Sequence, residues 1–272
     1  MNSKKISRHL RLWQAAMLLG LLAFWYVATD PDLLPPIYFD NPNKAAFFFG
    51  QPLEVFARIW TWFTSGSIYE HLWVTLLETV LAFVLGTAAG LAIGLWLALS
   101  PTAAALFDPY IKAANSMPRV ILAPIFGVWF GLDMASKVAL GVTLVFFIVF
   151  FNVYQGVREV SHTVLANARI LGASERQLLR HVYVPSAMSW VFASLHNSVG
   201  LAFVGAVVGE YLGSSRGVGY LILQAEGTFD INSVFAGILV LTAFALILDG
   251  MVTLAERRLM VWQPRSGETE RI

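Results

Sequence analysis

The chain predicts an all-α fold, a polytopic membrane protein of about six transmembrane helices, on three observations. Its 272 residues are 57% apolar and 13% charged, with a mean hydropathy of +0.67, too apolar for a water-soluble domain of this length. Six apolar stretches each approach the ~20 residues a helix needs to cross ~30 Å of hydrocarbon. The basic residues are segregated: thirteen flank one side of those stretches and four the other.

The first span covers residues 12–28, after Lys4, Lys5, Arg8 and Arg11. Its apolar run exceeds a usual signal-peptide core, and Val27-Ala28-Thr29 is a poor cleavage site, so it reads as an uncleaved anchor. Residues 29–71 then lie outside. The part from Asp30 to Gly50, rich in Pro, Asp and Asn, reads as an irregular loop. Leu53, Phe56, Ile59, Trp60 and Phe63 follow as an apolar helical stripe, with Trp62 nearby. That helix either lies in the membrane interface or packs on the rim of the bundle.

Residues 72–260 form the core region. The second span, 72–99, carries Gly86, Gly90 and Gly94 on one face, with Ala82 and Ala98 extending the row. Small residues every four positions let helix backbones approach closely in lipid, within one subunit or against a second. The third span, 109–130, is the least regular, with Pro109, Pro118 and Pro124 around Arg119. Proline frees backbone carbonyls, which at membrane depth must be satisfied by protein or a wet cavity. An arginine there is costly and by default functional. Its structural alternative is an internal ion pair with Glu78, Glu210 or Asp249, the other charges in or near spans.

The fourth span, 138–154, leads into LANARILGASERQLLRHVYVP, Leu165 to Pro185. Val164, Leu165, Ala168 and Leu171 recur at helical spacing and give a short amphipathic helix. Gly172 can take positive φ and close it. Ser174 precedes Gln177 by three residues, ahead of Leu178-Leu179, which is a capping-box start for a new helix. Pro185 suits the first turn of the next long helix. The fifth and sixth spans, 187–212 and 234–254, are joined by the glycine-rich run from Gly209 to Tyr220, which implies tight turns. The tail, 261–272, reads as disordered beyond Gln263.

Orientation follows from the charges. Arg158, Arg169, Arg176 and Arg180 follow the fourth span, and Arg257, Arg258, Arg265 and Arg271 follow the sixth. With the N-terminal cluster and Lys112, they outweigh Lys44, Arg58, Lys137 and Arg216 on the opposite side. The positive-inside rule then puts residues 1–11, loop 161–185 and the tail in the cytoplasm. The chain has no cysteine, so neither a disulfide framework nor a thiolate metal site is expected. Its five histidines, at 9, 71, 162, 181 and 196, make no ligand cluster, so no metal is expected. No GxxxxGK[ST] loop occurs, so the chain does not bind ATP in the usual way by itself. The basic residues sit beside spans rather than on a soluble face, which argues against nucleic acid.

The 165–185 segment resembles the EAA loop of ATP-binding-cassette importer permeases. That pattern has a Glu-Ala-Ala triplet, three residues, a glycine, nine residues, then aliphatic-x-aliphatic-Pro. Here Gly172 is followed by nine residues and then Val182, Tyr183, Val184 and Pro185, while Ala166, Asn167 and Ala168 occupy the triplet. The glutamate is replaced by Ala166. The Pro118–Pro124 spacing, Trp129-Phe130-Gly131, the glycine row and the Gly209–Tyr220 run are similar to the nitrate/sulfonate/taurine branch, and the likeness covers about 72–260. That branch also includes pyrimidine, riboflavin and aromatic-acid systems.

The resemblance implies a bacterial inner-membrane permease core with a coupling loop, and no catalysis by this chain. Two copies pair around a pathway, separate ABC ATPases hold ATP and Mg, and an external substrate-binding protein delivers the cargo. The residues implied for coupling are Ala166, Asn167, Ala168, Arg169, Leu171, Gly172, Ala173, Ser174 and Gln177. Candidates for the pathway are Arg119, Glu78, Glu210 and Asp249. A self-sufficient secondary transporter is the rival, but no inverted repeat is evident.

Overall fold

The computed structural model of the protein describes residues 3–30, 44–186, 190 and 195–259. Those residues form helices and no strand. They fall into two compact units. One comprises 1–69 with 221–241, the other 70–220 with 242–272.

The first unit holds α1 (Ser3–Thr29), α2 (Lys44–Phe49) and α3 (Pro52–Ser65). Residues 44–49 are therefore helical, which corrects the expectation of an irregular loop over the whole of 30–50; residues 31–43 lie outside the described residues. The indole of Trp25 donates to the carbonyl of Phe49 at 3.0 Å, so the end of α2 is tied to α1 by a contact that no local pattern announces. Pro52 opens α3, where a missing N–H costs nothing. Its apolar stripe faces outward: Leu53 is 66% exposed and Trp60 72%, whereas Val55 is buried. Arg58 pairs with Asp230 at 3.1 Å, and the amide of Gln51 donates to Asn232 Oδ1 at 2.8 Å.

The second unit begins within α4 (Ser67–Leu99), whose 33 residues span about 50 Å and so exceed the hydrocarbon thickness. Then come α5 (Pro101–Ser116), a 3-10 turn (Arg119–Leu122), α6 (Ala123–Phe130) and α7 (Met134–Arg158). The third span, the least regular in the sequence, is thus not one helix. Proline disfavours helical geometry in the residue before it, and Met117, preceding Pro118, is extended with φ −73° and ψ 135°. The helix stops there and restarts with Pro124 in the first turn of α6.

After α7 come α8 (His162–Ile170), α9 (Glu175–Leu178) and a π turn (Leu179–Tyr183) that leads into helical residues 184–186. Pro185 therefore continues a helical run instead of opening a new helix. A wide π turn just before it is where a residue without an N–H is accommodated at small cost. α10 (Leu195–Leu212) supplies the described part of the fifth span; most of 187–194 lies outside the described residues. α11 (Val218–Gly227) and α12 (Ile231–Leu259) complete the chain. Gly209 to Leu212 and Val218 to Tyr220 are helical, so only the middle of the glycine-rich connection is a turn.

Among the described residues, four helices are long and apolar enough to cross a membrane: Leu12–Thr29, Ser67–Leu99, Met134–Arg158 and Ile231–Leu254. Arg119–Phe130 and Asn197–Leu212 are shorter apolar segments. The core of the second unit packs Ala82 of α4, Val145, Val149, Val153 and Val157 of α7, and Ala202 of α10. Gly86, Gly90 and Gly94 lie directly on α7. A Cβ there meets Val145 Cβ at 2.7 Å, the Phe146 carbonyl at 2.9 Å and Val153 Cγ1 at 2.9 Å respectively.

Candidate functional site

Two constellations stand out, a knob between spans and a polar cluster within them. The knob is fixed at both ends. At the end of α8, the amide of Gly172 donates to the Arg169 carbonyl and that of Ala173 to the Ala168 carbonyl, each at 3.0 Å. This is the Schellman pattern, which requires a left-handed residue at the corner, and Gly172 has φ +81°. Two residues later Ser174 caps α9. Its Oγ accepts from the Gln177 amide at 3.3 Å, and Gln177 Oε1 accepts from the Ser174 amide at 2.8 Å, the reciprocal capping box. Arg169 and Glu175 pair across the corner at 3.3 Å.

The knob presents apolar residues outward. Leu171, read as the last residue of the amphipathic helix, sits just beyond the end of α8 and is 86% exposed; Ile170 is 82% exposed. Ala166 and Asn167 are also exposed, while Leu178 is buried and anchors the knob. A shallow groove of about 380 Å³ runs past Ala168, Leu171, Gly172, Ala173 and Gln177. Such exposed apolar residues on a rigid corner suit a partner's groove.

The polar cluster joins α4, α7 and α10. Glu78, Glu210 and Lys137 are buried, with 1%, 0% and 1% of their surface exposed. Glu78 and Glu210 lie side by side, and Lys137 is within electrostatic reach of both. The ammonium of Lys137 donates to the Leu132 carbonyl at 2.5 Å. Thr75 Oγ1 donates to Glu210 Oε1 at 2.6 Å. Glu210 and Thr75, with His71, also hold the start of α11. Helix starts leave amides without partners, and three successive ones find side chains here. Gly217 N donates to His71 Nδ1 at 3.1 Å, Val218 N to Thr75 Oγ1 at 3.1 Å, and Gly219 N to Glu210 Oε2 at 2.8 Å. Gly217 has φ +101°, and a Cβ on it falls 2.1 Å from the Glu210 carboxyl carbon. An open cavity of about 500 Å³ adjoins the cluster, lined by Glu78, Asp133, Lys137, Ser214 and Arg216.

The four pathway candidates are thus divided. Glu78 and Glu210 meet, but Arg119 pairs with neither of them nor with Asp249, which corrects the ion-pair alternative. Arg119 instead donates to the carbonyl and side-chain oxygen of Asn115 and stacks over Phe147 with its guanidinium carbon 4.4 Å from the ring centre. Its Nε is buried without a partner among the described residues. Asp249 lines a separate cavity of about 50 Å³ with Val199, Gly200 and Phe203. Sequence reasoning missed Lys137, Thr75 and His71. Lys137 counted as one more external basic residue, although a lysine so close to the start of an apolar span signals a buried partner.

A discontinuous span, a buried polar cluster and a rigid knob between spans define a multi-pass membrane transport subunit. The family model for the binding-protein-dependent transport system inner membrane component matches residues 90–261. The putative aliphatic sulfonates transport permease protein of Bacillus subtilis is 30% identical over 96% of this chain and 91% of its own length. The formylaminopyrimidine transport permease protein of Halalkalibacterium halodurans is 31% identical over 88% and 98%. The taurine transport system permease protein of Escherichia coli is 28% identical over 89% and 86%. The chain belongs to the binding-protein-dependent transport system inner membrane component family. It is an ABC importer permease for a small solute.

Proposed function

We propose that this permease carries a small organic anion of the sulfonate or taurine class into the cytoplasm. Two copies form the pathway, separate ATPases drive it through the knob, and an external binding protein delivers the cargo. ATP and Mg²⁺ belong to the ATPases. The observation that carries the reading is the knob: a Schellman corner abutting a capping box, with Ile170 and Leu171 exposed. A rigid element between two spans transmits force to them, whereas a loose loop absorbs it. Ala166, Asn167, Arg169 and Leu171 would meet the ATPase, and Ala168, Gly172, Ala173, Ser174 and Gln177 hold the shape. Closure of the ATPase dimer on ATP then draws two knobs together and rocks the helices bearing them.

The anion assignment is supported by the names of the sulfonate and taurine relatives and by Arg119 at the break in the third span. A neutral heterocycle is the second reading, favoured by the formylaminopyrimidine relative at 31% identity. The test is uptake in proteoliposomes holding the permease, its ATPases and its binding protein. Taurine or an alkylsulfonate should stimulate ATP hydrolysis and accumulate inside. Stimulation by a pyrimidine alone would transfer the assignment to the second reading.

A further inference from the structure

We propose that the cavity between the ends of α4 and α7 and the α8–α9 knob binds the phosphate headgroup of an anionic phospholipid. This rests on the cytoplasmic placement of residues 161–185. The cavity measures about 660 Å³ and is lined on the basic side by Arg158, Arg169 and Arg176. Glu175 is the one acid among its lining residues, and Arg169 already binds it at 3.3 Å. Arg158 donates to the Tyr154 hydroxyl at 3.1 Å and lies over that ring. Neither Arg158 nor Arg176 has an ion pair among the described residues, so two cationic groups face the cavity with no carboxylate bound to them there.

The remaining lining is apolar, including Leu99, Val157, Leu165 and Tyr183. Leu99 and Arg158 are the last residues of two long apolar helices, so the cavity lies where hydrocarbon gives way to headgroups. Basic pockets at that level on the cytoplasmic side suit anionic headgroups, and guanidinium forks match phosphate oxygens. Free phosphate would use the arginines but gain nothing from the apolar lining; a phospholipid uses both. A lipid seated against the knob also ties its position to the membrane surface.

The test is native mass spectrometry of the full permease–ATPase complex, exchanged into detergent with phosphatidylglycerol or phosphatidylcholine. Wild type should retain phosphatidylglycerol in preference. The Arg158→Gln/Arg176→Gln variant should lose that preference by roughly tenfold or more, as two surface cations predict. Arg176→Lys should largely keep it. Lys112→Gln, on the same side but away from the cavity, should leave it unchanged. Equal retention of both lipids by wild type, or equal loss in Lys112→Gln, would overturn the proposal. Complete displacement of the lipid by inorganic phosphate would also overturn it, marking a free-oxyanion site. Co-elution of the ATPase is scored in the same samples. If the double variant lost the ATPase but kept the lipid, the arginines would belong to subunit docking and the lipid site would fail. If wild type itself failed to retain the ATPase, the proposed function would fail while the lipid counts still judged the cavity.

Discussion

Gly172 and Arg119 carry the most specific expectations at the scale of single residues. Gly172 sits at φ +81° with nothing within 4 Å of where a Cβ would stand. A side chain there meets no neighbour, so its whole cost is backbone strain, ~1–2 kcal/mol for a left-handed L-residue. Gly172→Val should therefore reach the membrane at normal abundance but fail to couple ATP hydrolysis to uptake. Gly172→Asn, whose side chain tolerates this region, should be milder. Substrate-stimulated hydrolysis and uptake in the same vesicles decide the matter; normal values for the valine variant would remove the knob from coupling. Among the described residues, Arg119 contributes no ion pair whose loss strands an acid. Arg119→Gln should assemble normally while uptake falls at least roughly tenfold, a barrier change of about 1.4 kcal/mol. Full uptake at full abundance would exclude Arg119 from the pathway.

At the scale of elements, the start of α11 offers a sharper test of the polar cluster. Thr75 Oγ1 both donates to Glu210 and accepts from the Val218 amide. Thr75→Val keeps the shape and removes both bonds, leaving buried polar groups unsatisfied at about 1–3 kcal/mol. The purified variant should melt at lower temperature than wild type, and an unchanged melting temperature would show that α11 does not depend on these side chains. This cap also marks where the sequence stopped being legible. The α8 corner and the Ser174 box were readable because their partners lie within five residues of each other. Thr75 and Val218 are 143 residues apart, and only the fold brings them together. The break before Pro118 was half legible: proline announced it, but an apolar run hid that α5 and α6 are separate helices. Likewise the α2 helix, tied to Trp25, could not be seen from local composition alone. Arg119 was found because a charge in an apolar run is conspicuous, whereas its stacking on Phe147 required the packing.

On the scale of the whole molecule, the question is which glycines hold the bundle and which transmit motion through it. The row on α4 is set against α7 so closely that a Cβ at Gly90 falls 2.9 Å from the Phe146 carbonyl and 2.9 Å from Val149 Cβ. Backbone cannot yield there as a flexible side chain would, and Val149 is itself 1% exposed in the core. Gly90→Val must therefore push α4 and α7 apart or displace Val149 from its rotamer. Overpacking of that kind costs about 1–3 kcal/mol, and in lipid no hydrophobic gain offsets lost helix contact. The expected result is the reverse of Gly172→Val: lower membrane abundance and a lower melting temperature, with the molecules that do fold retaining coupled hydrolysis. Gly90→Ala should fall between wild type and valine on both measures, because the smaller side chain creates the close Cβ contact without the branches. Measuring abundance, melting temperature and coupling ratio for both glycines in one strain separates the two roles. If Gly90→Val were as abundant and as stable as wild type, the α4–α7 approach would not be what holds the core together.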